Sequence, residues 1–402
     1  TVDESIAEDI LATQADTAVV VGTVSDYLTA KGDAKLYNIN LPAGVYLQAQ
    51  LTTPANADLD YDLYLLDAEG NILTGSDYYT YINGTAGTLP EALGYITSGD
   101  TATYYLYVLA SEGGSVSESF TLDYSVSTAC DSYEIDESVR QALAFTYGAG
   151  GAYIESRNLS SPIDNDWYVI TVPSSRIYDK LKISATTAST NTCSVEVYQN
   201  VASEGYQMKR VGSGNTISVS SGKYYIRVSN AKTMENFDDL DIQNYKLSIT
   251  PILKATGIVI TDLKGSEGLN KVVNYPGYGA HFRTQGSGTL TVYGVLTATD
   301  SSTGVTYAVG GEQINGLYYS PAWEANNTSA NAIRRGTGTT DSSGKFEIDI
   351  SLPPGIGVYS YYGSTSTHYF DICGVSVSPS DDSSISASET IFHLAYTMYH
   401  PF

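Results

Sequence analysis

Ser221-Gly-Lys-Tyr-Tyr-Ile-Arg-Val, followed by Tyr245-Lys-Leu-Ser-Ile, is the stretch on which the reading of this chain turns. Upstream, Thr101-Ala-Thr-Tyr-Tyr-Leu-Tyr-Val and Phe120-Thr-Leu-Asp-Tyr restate it. Working outward, Asp164-Asn-Asp-Trp-Tyr-Val-Ile-Thr-Val answers Asp33-Ala-Lys-Leu-Tyr-Asn-Ile-Asn-Leu, and Asp136-Glu-Ser-Val answers Asp3-Glu-Ser-Ile. Four blocks in one order at similar spacing make an internal duplication, which outweighs any single motif. The blocks are rich in β-branched and aromatic residues, which marks half-buried strands. The acidic stretch from Asp3 to Gln14 instead has helical spacing, at Ile6, Ile10 and Leu11.

Composition agrees. The 402 residues exceed what one core usually supports, which predicts two or three domains. Thirty-five tyrosines against 8 phenylalanines suit a pleated surface, where the ring packs inward and the hydroxyl reaches water. A net charge of −24 repels phosphate backbones and anionic headgroups, so nucleic acid and membrane surfaces are excluded as partners. No apolar run reaches the roughly 20 residues of a membrane span, so membrane insertion is not expected. The chain opens at Thr1-Val-Asp-Glu-Ser without a secretory leader and is read as mature or trimmed, which leaves export open. Cys130 and Cys193 either bridge within one domain or stay free; with Cys373 they form no CxxC pair.

The duplicated blocks resemble the bacterial pre-peptidase C-terminal domain, a calcium-associated, jelly-roll-like β-sandwich. The second copy carries Glu134-Ile-Asp-Glu-Ser, Asp164-Asn-Asp-Trp-Tyr, Gly222-Lys-Tyr-Tyr-Ile-Arg-Val and Tyr245-Lys-Leu; the first keeps Asp62-Leu-Tyr-Leu and Tyr104-Tyr-Leu-Tyr-Val. The resemblance covers about the first 250 residues. It implies calcium held by Glu134, Asp136, Glu137, Asp164 and Asp166, since calcium takes 6–8 oxygens converging from separate segments. Asp136 stands for an asparagine of that pattern, Glu137 for an aspartate and Ile135 for a proline. In the first copy Lys35 sets an ammonium where the second aspartate should be, so that copy is expected to lack the metal.

The last segment has a different texture. Leu290-Thr-Val-Tyr-Gly-Val-Leu-Thr-Ala-Thr-Asp leads into the turn Ser301-Ser-Thr-Gly, and Gly338-Thr-Thr-Asp-Ser-Ser-Gly-Lys-Phe-Glu-Ile-Asp-Ile reads as a hairpin with Phe346, Ile348 and Ile350 inward. These elements look like the Ig-like or transthyretin-like (carboxypeptidase regulatory-like) modules of bacterial surface proteins. The expected fold is therefore all-β: three tandem β-sandwich domains, two jelly-roll-like over 1–127 and 128–252 and one Ig-like or transthyretin-like over 253–402.

Other chemistry is sparse. Asp58-Leu-Asp-Tyr-Asp has Leu63 where a calcium-binding EF-hand loop needs glycine, so a solvated strand face is expected there. His281, His368, His393 and His400 lack zinc-enzyme spacing, although strand convergence can bring two of them to Cys373 or Asp371. Nucleophile-elbow, P-loop and Rossmann patterns are missing, and no histidine precedes His281. Trp323 lies in Tyr318-Tyr-Ser-Pro-Ala-Trp-Glu-Ala-Asn-Asn, a stretch without strand alternation. Trp323, Tyr318 and Tyr319 are therefore the expected ligand-binding aromatics. The predicted function is a non-catalytic, secreted or cell-surface bacterial protein that binds extracellular polysaccharide or protein. The alternatives are an accessory region of an exported peptidase or other hydrolase and, more remotely, a metal-dependent enzyme in the last domain.

Overall fold

The structure is a computed structural model and describes residues 8–9, 19–56, 58–77, 79–82, 85–86, 89–187, 193–201, 207–213, 215–231, 243–266, 270–275, 279–283, 288–326, 329–362 and 366–399. Among the described residues nearly all regular structure is β-strand, with two short helices, Pro321–Ala325 and Ser329–Ala332. The chain divides into two compact units, one of residues 1–174 and 179–252, the other of residues 175–178 and 253–402.

The first unit repeats one sheet plan twice. In the first repeat a five-stranded sheet runs Glu8–Asp9, Ala34–Leu41, Ala102–Glu112, Asp60–Leu66, Ile72–Ser76, and a four-stranded sheet runs Val19–Asp26, Phe120–Ser127, Tyr46–Thr52, Glu91–Ile96. In the second, Leu143–Ala144, Asn165–Val172, Gly222–Asn230, Cys193–Asn200 and Gln207–Ser213 follow the same order. Their companion sheet is Ala152–Leu159, Gln243–Leu253, Tyr178–Thr187, Thr216–Ser218. Each repeat has a two-residue strand, Glu8–Asp9 or Leu143–Ala144, parallel to Ala34–Leu41 or Asn165–Val172 respectively. The helical spacing read around Ile6 and Ile10 therefore meets a strand at Glu8–Asp9, where pairing with Tyr37 and Asn38 prevails over local propensity; the rest of that stretch lies outside the described residues.

Alternation sets the cores. Tyr37, Ile39 and Leu41 from one sheet meet Leu47, Ala49 and Leu51 from the other, and all belong to one buried cluster. The opposite face of Tyr46–Thr52 carries Tyr46, Gln48 and Gln50, and the first two of these are also buried. They are covered by the second repeat. Gly94, directly opposite Gln48, makes this possible: a Cβ there would lie 2.7 Å from Glu137 Cγ and 2.8 Å from Ile135 Cγ2.

A second tie joins the repeats. The hairpin Tyr79–Ile82 and Thr85–Ala86, from the first repeat, adds to the second repeat's sheet, with Tyr79–Ile82 parallel to Gln207–Ser213. Beyond it, Leu89 enters an apolar cluster with Val139, Trp167, Tyr198, Met208 and Tyr225. Trp167 is thus buried on the outer face of its sheet.

In the other unit, Gly257–Gly265, Gly288–Thr299 and Thr306–Ala308 form one sheet, in which Lys345–Leu352 also pairs with Gly288–Thr299. The second sheet runs Asn270–Tyr275, Gly279–Arg283, Ala387–Tyr399, Ser366–Pro379, Gln313–Tyr319, Ile333–Thr339. Lys345–Leu352 alternates strictly, with Phe346, Ile348, Ile350 and Leu352 buried. Its hairpin is the one read from Asp341-Ser-Ser-Gly. Asp341 Oδ1 accepts from the backbone N–H groups of Ser343 and Lys345 at 2.8 and 3.0 Å, and Gly344 takes φ +74°, which favours glycine.

Candidate functional site: a buried carboxylate pocket

The five acids singled out by sequence converge at the end of the second repeat, where it meets the outer face of Tyr46–Thr52. Asp164 and Asp166 flank the start of Asn165–Val172. Glu134, Asp136 and Glu137 come from the connecting stretch, which is pinned where Trp167 N–H donates to the Asp136 carbonyl at 3.0 Å. Oxygens of Glu134, Asp136 and Asp166 lie within 4.8 Å of one another, as do oxygens of Glu134, Glu137 and Asp164. Four of the side chains are buried and Glu134 is half-buried.

Arg157 divides the pocket in two. It sits in Ala152–Leu159, where the register shifts between Ile154 and Arg157 and Ser156 takes φ 63°. The bulge turns the guanidinium inward. Its Nη2 bonds Asp136 and lies 2.9 Å from Asp166 Oδ1, Nη1 bonds Asp131 at 2.7 Å, and Nε donates to the Tyr168 hydroxyl at 2.7 Å. Tyr168 and Tyr245 hydroxyls meet at 2.6 Å, and Tyr245 donates to Asp166 Oδ2. One always-charged group thus balances the Asp136–Asp166 side.

The other side has no such balance. Among the described residues no lysine, arginine or histidine is ion-paired with Glu134, Glu137 or Asp164. Burial, then the neighbouring Asp164 charge, push the Glu134 carboxyl up to about 8 and the Glu137 carboxyl well above the usual range. Asp164 is raised by burial, against donation from Ser160. Proton accounting gives the same picture. The Tyr46 hydroxyl lies 2.5 Å from Glu137 Oε1 and 2.9 Å from Glu134 Oε2, yet carries one proton. Glu137 also accepts from Gln48 Nε2 at 2.7 Å and from Asn165 N–H at 3.1 Å. One of the two carboxyls then has to hold a proton of its own, or the pair has to share a cation.

The residues fit such a cation. Glu134 Oε1, Asp136 Oδ1 and Asp164 Oδ1 are buried without a hydrogen-bond partner, and Asp166 Oδ1 has only its ion pair with Arg157. Unpaired buried carboxylate oxygens are costly, and an all-oxygen set of this kind suits a hard divalent ion such as calcium. In the first repeat the same loop is built differently. Asp33 Oδ2 accepts from Thr29 and Ala30 N–H groups at 3.0 Å, much as Asp164 Oδ2 accepts from Ser160 N–H and hydroxyl. Lys35 there pairs with Asp26 at 2.7 Å.

The aromatic surface expected in the other unit is only partly brought together. Tyr318 is wholly buried: it ends a core strand, with its hydroxyl 2.7 Å from His393 Nδ1 and 3.1 Å from Cys373 Sγ. It is therefore corrected from ligand-binding to core residue, because strand alternation continues to Tyr319 where a loop was expected. Tyr319 is half-buried and donates to Glu324. Trp323 lies half-buried in the helix Pro321–Ala325, capped by Ser320, and donates from Nε1 to the Pro354 carbonyl at 3.0 Å. Ser320 also donates to Asp371 at 2.5 Å, so the convergence anticipated for His393, Cys373 and Asp371 is a buried hydrogen-bonded chain. Burial lowers His393 to about 4 and raises the Cys373 thiol above its usual range, the reverse of a thiolate–imidazolium pair. The imidazoles of His281 and His400 lie outside the described residues. Cys130 and Cys193 are free. Asp62, expected on a solvated face, is instead buried and accepts from Tyr64 at 3.2 Å and from Ser111.

Sequence reading missed Arg157, Tyr46 and Gln48. An arginine inside a strand of so acidic a chain is a signal for the first. The alternation Tyr46-Leu-Gln-Ala-Gln-Leu shows which residues leave the core, but not that another repeat covers them.

Fold and site together define an all-β chain with a duplicated sandwich plan and a buried carboxylate cluster where the repeats meet. No family model matches it. It is similar to the uncharacterized protein YlqB of Bacillus subtilis, 36% identical over 74 residues, which are 18% of this chain and 46% of that protein. The chain thus spans about half the length of that curated relative. Similar solved structures include the lysozyme inhibitor PliG of Aeromonas hydrophila (TM-score 0.20, 10% identity, 30% of this chain and 96% of that one). The pre-peptidase C-terminal domain of Bacillus anthracis collagenase gives a TM-score of 0.19 at 14% identity, over 30% of this chain and 92% of that one. The CBM22 tandem of Paenibacillus barcinonensis Xyn10C gives 0.18 at 10% identity, over 59% and 92%. Scores of this size carry no argument about function. No helix among the described residues is long and apolar enough to cross a membrane.

Proposed function

We propose that this chain is a non-catalytic binding protein of the secreted or cell-surface bacterial kind, whose first unit is set by a divalent cation, calcium, in the carboxylate pocket. The observation that carries the reading is the set of orphaned oxygens of Glu134, Asp136 and Asp164 in a five-acid cluster with a single guanidinium. Glu134, Glu137 and Asp164 would hold the ion, and Arg157 balances Asp136 and Asp166. When bound, the ion would supply positive charge to the Glu134, Glu137 and Asp164 oxygens, which pair with no basic group among the described residues. These acids are walled into the frame, which supports a structural role over general acid–base work on a polymer.

The binding face of the other unit is placed at Tyr319 and Trp323, whose rings are half-exposed beside Glu324. Flat apolar faces beside hydrogen-bonding groups suit a sugar or peptide better than a phosphate, which the acidic surface repels. The test is a glycan and matrix-protein screen of the whole chain, then Trp323→Ala on any ligand found. Binding lost at an unchanged melting temperature supports this face. Turnover of a polysaccharide or peptide by the purified chain would overturn the non-catalytic reading.

A further inference from the structure

The pocket is closed on one side by the first repeat, and one atom of that wall has no hydrogen-bonding partner. Gln48 projects from the outer face of Tyr46–Thr52, only 1% exposed. Its amide nitrogen donates to Glu137 Oε1 at 2.7 Å, and the side chain is near enough to Asp164 to lower that carboxyl. Its carbonyl, Oε1, is buried without a partner. An amide carbonyl is a neutral, hard oxygen of the type that calcium takes beside carboxylates. Buried amide oxygens are rarely left unsatisfied, and this one belongs to a side chain held against two of the three acids that lack a counter-charge.

We infer that Gln48 is a cation ligand, so that the site is shared between the repeats: Glu134, Glu137 and Asp164 from the second and the Gln48 carbonyl from the first. The inference rests on the cation reading above but goes beyond it, because nothing in the second repeat's own motifs calls for a residue of the first. Three features make the shared geometry specific. Gly94, opposite Gln48, removes the side chain that would keep Glu137 away. Tyr46, two residues before Gln48 on the same face, reaches Glu134 and Glu137. Gln50, two residues after, lies 3.3 Å from Asn165 Nδ2. An ion at this place holds the two repeats together as well as neutralising one of them.

The experiment is calcium titration by calorimetry on the whole chain, stripped of metal, for wild type, Gln48→Met and Gln48→Glu, with folding checked by circular dichroism in EDTA. Gln48→Met removes the oxygen at nearly constant volume and should weaken calcium binding about tenfold or more. Gln48→Glu keeps an oxygen at the same reach and adds charge, and should bind calcium more tightly than wild type. If wild type binds calcium and Gln48→Met binds it equally well, the shared site is wrong while the second repeat's site stands. If wild type binds none, the cation reading itself falls. Should Gln48→Met fail to fold, Gln48→Glu decides: an affinity unchanged from wild type overturns the inference.

Discussion

The guanidinium of Arg157 and the carboxylate of Asp166 meet at 2.9 Å with neither side chain reaching solvent at all. Removing one partner of such a pair leaves a buried charge, at a cost of roughly 3–5 kcal/mol. Arg157→Met should therefore destabilise the first unit by that order in metal-free buffer. Urea unfolding followed by fluorescence of the buried Trp167 reads the loss; a change below about 1 kcal/mol would mean that the acids are neutral without it.

Calcium should raise the melting transition of the first unit alone. A ligand at one hundred times its dissociation constant adds about 2.7 kcal/mol. Scanning calorimetry with calcium and with EDTA should separate the two traces in that transition and leave the other unit's unchanged. Asp164→Asn should bring them together; persistence of the gap in that variant places the ion elsewhere.

Gly94→Ala tests how closely the repeats approach. The added methyl would stand 2.6 Å from the Tyr46 hydroxyl and 2.7 Å from Glu137 Cγ, so the pocket has to widen. Overpacking of this kind costs about 1–3 kcal/mol. The expected result is a lower melting temperature together with weaker calcium binding. Unaltered calcium affinity would argue that Glu137 stands outside the coordination sphere.

His393 gives the other unit a pH dependence. Burial holds its folded value near 4, below the 6.5 of a solvated imidazole. Between those values the unfolded chain binds a proton that the native one refuses, so stability is full above about 6.5 and falls as pH drops toward 4. The span corresponds to roughly 3 kcal/mol. Melting of that unit across this range should show the slope, and His393→Gln should flatten it; an identical slope in the variant assigns the protons to another group.

Much of this is legible in the sequence. Three of the four aligned blocks fall on equivalent strands of the two repeats, because period-two burial fixes both strand and face; the Asp136 block is a connecting stretch, and its counterpart at Asp3 lies outside the described residues. The acids of the pocket were legible too, since their two motifs flank strands that the fold places side by side. Arg157 escaped because a bulge, which residue pattern does not announce, reverses the face it occupies. Gln48 escaped because its significance depends on what lies across from it. Tyr318 was misplaced for the opposite reason: Pro321 and the asparagines after it make the stretch look like loop, while pairing with Ser366–Pro379 holds it as strand through Tyr319.

The hairpin that the first repeat lends to the second has a consequence for how the chain is made. Until Gln207–Ser213 has been synthesised, Tyr79–Ile82 lacks its parallel partner on the side away from Thr85–Ala86, and without the hairpin that later strand would be an open margin of its sheet. Unpaired margins recruit other chains. A nascent or truncated first repeat is therefore an incomplete folding unit, and two copies at high concentration have a ready route to exchange hairpins and form a swapped dimer.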